Sequence, residues 1–173
     1  LTLIERIYLM VLQQMASLIC ERRRALGLSQ EQLAVLVGLS RATIADLEAG
    51  KASELGIPEL ENVLSALDLS LPLGAESSAM RSSARSSALG VAAQTASVSY
   101  RDRLTASILE RSLVSGAIPE QFRAHVASLI NEAPAPVLIR AVDEAAKRHQ
   151  INPEAIWKNL SRWSHDLQTT RAL

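Results

Sequence analysis

The side chains that could do acid–base, nucleophilic or metal chemistry are few and scattered. His125, His149 and His165 form neither an H-E-x-x-H motif nor an i, i+4 pair, and His165 next to Asp166 reads as a surface residue. Cys20 is the single cysteine, set in an apolar run where a buried, inert thiol is expected. It excludes an intramolecular disulfide framework and any multi-cysteine zinc site. With only seven glycines there is no G-x-S-x-G, P-loop or dinucleotide turn, and no strand pattern to present one. No catalysis, metal or cofactor is therefore expected. The residues left with usable chemistry are hydrogen-bonding and cationic. Gln30, Arg41 and Lys51 lie at the ends of two short segments, where side-chain donors and free backbone N–H groups can hold anionic oxygens.

The elements that must position them are helical. The 173 residues are 48% apolar and 21% charged, but only 3% aromatic, a Leu- and Ala-rich balance that favours helices over strands. Leu3, Ile4, Ile7, Tyr8, Val11, Met15, Leu18 and Ile19 recur at three and four, predicting a long first helix that runs to Leu26 and stops at Gly27. Its most apolar run, residues 7–20, contains two Gln and is too short to span a bilayer. Glu5 and Arg6 at its head and the absence of a cleavage pattern argue against an export signal, so a cytoplasmic protein is expected. Ser29 opens the next segment with Gln32 in capping-box position and Gly38 as terminator. Ser40 caps a third segment that ends at Gly50, and a fourth begins near Pro58.

Composition changes after Gly74. Residues 75–99 are dominated by Ser and Ala, with a tandem RSSA, and read as a flexible linker. Beyond it, residues 100–173 predict a small helical bundle. A capping box at Ser99–Asp102 precedes Leu104, Ile108, Leu109 and Leu113, and Gly116 ends that segment. Pro119, Pro134 with Pro136, and Asn152-Pro153 punctuate three more. Trp157 and Trp163 lie six apart on the last segment, about 120° around a helix. Either one is core and the other a partner anchor, or both are buried.

Two short helices joined by Val37-Gly38-Leu39, with apolar Leu33, Val37, Ile44 and Leu47, match a helix-turn-helix. The run RRRALGLSQEQLAVLVGLSRATIADLEAGK closely resembles the Xre/Cro-repressor family pattern R-x-x-x-G-L-[ST]-Q-x-x-L-A-x-x-x-G-[VIL]-[ST]-x-x-x-I-x-x-[LIWF]-E-x-G. The resemblance covers about residues 15–70 and implies a lambda-repressor-like helix-turn-helix domain (1–74); with the flexible linker (75–99) and a C-terminal helical partner or self-association domain (100–173) read from composition and periodicity, an all-α chain is expected. It places Ser40, Arg41, Ala42 and Thr43 in the turn that enters the major groove. Arg41 suits guanine O6 and N7, Ala42 and the Thr43 methyl suit a thymine methyl, and Asp46 either accepts from cytosine N4 or faces solvent. Gln30 and Lys51 would hold phosphates and fix register. Arg23 and Glu48 match a structural ion pair of the family, assigned to stability and not to DNA.

The segment before residue 75 carries six cationic and nine anionic side chains, a net of −3, unlike the usual basic footprint of a DNA binder. A homodimer on double-stranded operator DNA resolves this, with the apolar first helix as candidate interface. Less closely, Asn131-Glu-Ala-Pro134 and Ile156–Leu160 resemble regulators paired with abortive-infection nucleotidyltransferase toxins. That resemblance implies an autoregulating antitoxin with a toxin partner. The alternative is a stand-alone repressor whose C-terminal bundle senses a small ligand or another protein.

Overall fold

The computed structural model describes residues 3–51, 55–69 and 87–173, with side chains from residue 10 onward. Every described element is helical, and the chain divides into two compact units, Leu1–Leu69 and Ser70–Leu173. No helix among the described residues is long and apolar enough to cross a membrane.

In the first unit α1 spans Leu3–Ala25, α2 Gln30–Val37, α3 Arg41–Glu48 and α4 Ile57–Ala66. α1 ends where the sequence predicts, with Gly27 at φ 69°. On α1, Ala16, Ile19 and Arg23 are spaced three and four apart and all buried, which marks the face covered by the rest of the unit. Ile19, Leu33, Ile44, Val63 and Leu67 are fully buried and close a core to which all four helices or their ends contribute. Met10, Val11 and Leu18 lie about 110° to 150° around α1 from that face, and each stays roughly half exposed, at 52%, 45% and 50%.

The second unit contains α5 Ala88–Ala96, α6 Ala106–Ser115, a 3-10 turn Glu120–Phe122, α7 Arg123–Glu132, α8 Ala135–His149 and α9 Pro153–Asp166. α5 corrects the domain boundary expected from composition. Of the proposed linker, residues 75–86 lie outside the described residues, while 87–96 supply a capped helix that packs against α6, α7 and α8. Leu89, Ala92, Ala93 and Ala96 fall at i, i+3, i+4 and i+7 and are buried, so the small side chains that read as linker let three helices approach closely. Its start is held by Glu144 of α8, whose carboxylate accepts from Ser87 Oγ (2.8 Å) and from the Leu89 N–H (3.0 Å).

Two further expectations change. The helix expected after a Ser99 capping box begins instead at Ala106, capped by Thr105 Oγ1 accepting from the Ile108 N–H. Residues 97–104 form a connection in which Ser97 Oγ accepts from the Leu104 N–H at 2.9 Å. Trp157 and Trp163, put forward as partner anchors, are 1% and 3% exposed, and Trp163 Nε1 donates to the Gly116 carbonyl at 3.1 Å. Of the two alternatives the sequence left open, both tryptophans being buried is the one observed, because α9 packs against α6, α7 and α8 together and so buries an arc wide enough for two positions 120° apart.

Candidate nucleic-acid interface

The geometry of α2 and α3 follows from short-range signals. Ser29 Oγ accepts from the Gln32 N–H and Gln32 Oε1 accepts from the Ser29 N–H, each at 3.0 Å, so the start of α2 is a complete capping box. α2 ends at Gly38, which sits at φ 72° and donates back to the Ala34 carbonyl. Nothing lies within 4 Å of where a Cβ on Gly38 would stand, so the requirement there is conformational and not steric crowding. Leu39 N–H also bonds the Ala34 carbonyl (2.9 Å), and Asn62 Nδ2 of α4 donates to the Val37 carbonyl (2.9 Å), fixing the turn from outside. Ser40 Oγ then accepts from the Thr43 N–H at 3.0 Å and starts α3.

A buried polar clasp locks this pair to α1. Arg23 donates to Glu48 through Nε (2.5 Å) and Nη2 (2.8 Å), a two-point contact, and through Nη1 to the Leu28 carbonyl (2.6 Å). The two side chains are 9% and 6% exposed. Burial pushes the Glu48 carboxyl up, but hydrogen bonds from Arg23 and Gln30 and the Arg23 charge outweigh it and hold it below the usual carboxylate range. The hydrogen bond to Glu48 raises the Arg23 guanidinium in turn, against its own desolvation. The structural role expected for Arg23 and Glu48 is the one their geometry allows, since neither charge faces solvent.

Gln30 has a partner the sequence did not suggest. Its Nε2 donates to Glu48 Oε2 at 3.0 Å, so this half-buried amide at the start of α2 is anchored by the clasp. Arg22 is likewise engaged, donating from Nε to the Leu67 carbonyl at 3.0 Å. Arg22 and Asn62 were not singled out from the sequence, whereas Gln32 was, by its capping-box position. Asn62 and Arg22 act across 25 and 45 residues and leave no local signal.

What remains outward-facing is the expected recognition turn. Ser40, Arg41, Ala42, Asp46 and Lys51 are exposed. Thr43 is half-buried with its hydroxyl 2.8 Å from Ser40 Oγ. Arg41 makes no hydrogen bond or ion pair among the described residues. The first turn of α3 thus presents one uncommitted guanidinium beside small and apolar neighbours on a rigidly capped helix, a set suited to reading base edges in a major groove.

No curated protein and no solved structure matches the chain. Residues 21–73 do match the family model described as Helix-turn-helix, a span that contains the clasp, both caps, the Gly38 turn and the exposed face of α3. The function that accompanies this family is DNA binding in transcription regulation. Residues 21–73 of this chain are a helix-turn-helix domain of the Xre/lambda-repressor kind.

Proposed function

We propose that the chain is a sequence-specific repressor that binds operator DNA as a homodimer through α3 and acts by occluding a promoter, with no chemical step. The observation that carries this reading is the contrast within one domain. The polar groups behind α2 and α3 are tied into the clasp and caps, whereas Arg41 on the groove-facing turn has no partner among the described residues. Phosphates would be held at the start of α2 by free backbone N–H groups beside Gln30 and by Lys51 past the end of α3. Self-association supplies affinity that a unit of net charge −3 lacks, and the exposed Met10, Val11 and Leu18 on α1 offer the surface for it. The direct test is a gel shift of the full chain on its own upstream intergenic DNA against unrelated DNA of equal length, at more than one salt concentration. Sequence preference that survives added salt supports the reading, and equal retardation of both DNAs overturns it.

An antitoxin role would add a toxin partner on the C-terminal unit. Of the residues that carry that resemblance, Ile156, Trp157 and Leu160 are core and Asn131 Oδ1 accepts from the Thr170 and Arg171 N–H groups, while Glu132, Pro134 and Lys158 are exposed. A toxin would contact the exposed ones or other surface residues of the unit. Adding the neighbouring gene product to the gel shift tests this, because a toxin partner alters the shift and an unrelated protein does not.

A further inference from the structure

We propose that the C-terminal unit holds a binding site for a small organic acid with an apolar body, in the cleft between α6 and the segment that leads from α6 into α7. The cleft measures about 460 Å³, within the range of small-molecule sites. α6 turns Ile108, Arg111, Ser112 and Ser115 toward it, positions i, i+3, i+4 and i+7 of one helical face, and Ile118 and Phe122 close the opposite side.

Two groups in this lining lack the partners their neighbours have. Ser112 is 3% exposed, yet its hydroxyl makes no hydrogen bond among the described residues. Ser97 and Ser161 show the usual alternative, each donating to a carbonyl four residues back. The Ser112 oxygen is not sealed off, since the buried side-chain atom without a partner among the described residues is His125 Nδ1, so the hydroxyl opens on the cleft and can donate to a ligand there. Arg111 is exposed at the rim and makes no ion pair or hydrogen bond among the described residues. Elsewhere in this unit Arg123, Lys147, Arg148 and Lys158 are each paired with a carboxylate, whereas the exposed Arg101 and Arg103, like Arg111, make no ion pair among the described residues. Arg111 differs from those two in lining the cleft.

The apolar wall is also braced. Phe122 meets His125 edge-on with ring centroids 5.3 Å apart, and His125 stacks on Tyr100 at 4.0 Å. Ile108, Ile118 and Phe122 suit a hydrocarbon or aromatic body, Arg111 suits a carboxylate, and Ser112 suits one of its oxygens. An inorganic anion would leave the apolar wall uncovered, and an uncharged ligand would leave Arg111 unused. The site lies wholly within the second unit and does not depend on the operator-binding reading.

The test is a titration of the full chain followed by amide NMR shifts, with octanoate as probe and 1-octanol as its uncharged counterpart. Octanoate should give saturable shifts concentrated in residues 106–122, and octanol should bind about tenfold more weakly or worse. Arg111→Gln should bring octanoate down to the level of octanol, with Arg111→Lys recovering part of the loss, and Ser112→Ala should weaken octanoate several-fold. The thermal midpoint of each variant checks that the fold is intact. Equal binding of acid and alcohol, shifts centred outside the cleft, no saturable shift at millimolar octanoate, or an Arg111→Gln variant that binds unchanged would each overturn the proposal.

Discussion

At the scale of single residues, the first unit separates groups that hold the fold from groups that face outward. Arg41 belongs to the second kind, so Arg41→Ala should leave thermal stability within about 0.5 kcal/mol. It should cost about 1 to 3 kcal/mol on operator DNA and relax preference at one base pair, as measured by fluorescence anisotropy on single-base operator variants. Glu48 belongs to the first kind. Its folded-state carboxyl lies below its ordinary value, so the stability it supplies is present above that value and is lost as pH falls through the folded one. Glu48→Gln should flatten the acid limb of the stability curve between those two points. At neutral pH it should also destabilise by about 3 to 5 kcal/mol, because Arg23 is left buried without its counter-charge. The double variant Arg23→Met, Glu48→Leu should cost less than Glu48→Gln, and urea unfolding of the two variants beside the unaltered protein at several pH values checks both statements.

At the scale of elements, much of the fold was legible in the sequence, and the exceptions have physical causes. The boundaries of α2 and α3 follow from Ser29, Gln32, Gly38 and Ser40, all local signals that the structure realises as hydrogen bonds and a positive φ. Gly38→Ala should therefore cost about 1 to 2 kcal/mol from the left-handed backbone alone, with no steric term, by thermal unfolding of the first unit's helices. α5 was misread because Ser and Ala dominate its surroundings and the single large side chain on its buried face is Leu89. The i, i+3, i+4, i+7 spacing of Leu89, Ala92, Ala93 and Ala96 was the available signal, but Ala is weak evidence for burial until the helices that approach it are known. Glu144, which fixes the start of α5, comes from a helix more than fifty residues away. Of the candidate interface, Arg41 and its neighbours were readable from pattern, while Gln30's bond to Glu48 was not, because it depends on how α2 crosses α3. Ala92→Glu distinguishes a packed α5 from a linker. A flexible segment would tolerate it within about 0.5 kcal/mol, whereas a carboxylate forced into the core should destabilise by several kcal/mol. Both tryptophans lie in the second unit, so their fluorescence during urea unfolding reports on that unit alone.

At the scale of the whole molecule, the question is how an acidic helix-turn-helix unit achieves useful affinity. A net charge of −3 disfavours long-range attraction to phosphate, so a single copy should bind weakly and mostly through short-range contacts. Coupling two copies changes this without new DNA contacts, since the second half-site is then engaged at a high effective concentration worth about 10²- to 10⁴-fold. The proposed dimer would have to set its two α3 helices about 34 Å apart, one turn of DNA. α1 is the element with surface to spare. Val11 and Leu18 are nearly in line along it with Met10 beside them, and this face points away from the core built on Ala16 and Ile19. An antiparallel pairing of two α1 helices about their midpoint would set Leu18 of one copy near Met10 of the other, a self-matching contact of the kind a two-fold dimer needs. Leu18 is 50% exposed, so Leu18→Glu should leave the monomer's stability nearly unchanged while setting a carboxylate against the apolar Met10 of the other copy. Sedimentation should then show a dimer for the unaltered chain and a monomer for the variant, with operator affinity falling by about the same 10²- to 10⁴-fold factor. Binding to an isolated half-site should be unchanged. A chain that already sediments as a monomer, or a variant that keeps full operator affinity, would place the dimer contact elsewhere or remove it, and α1 would then be left without a role for its outer face.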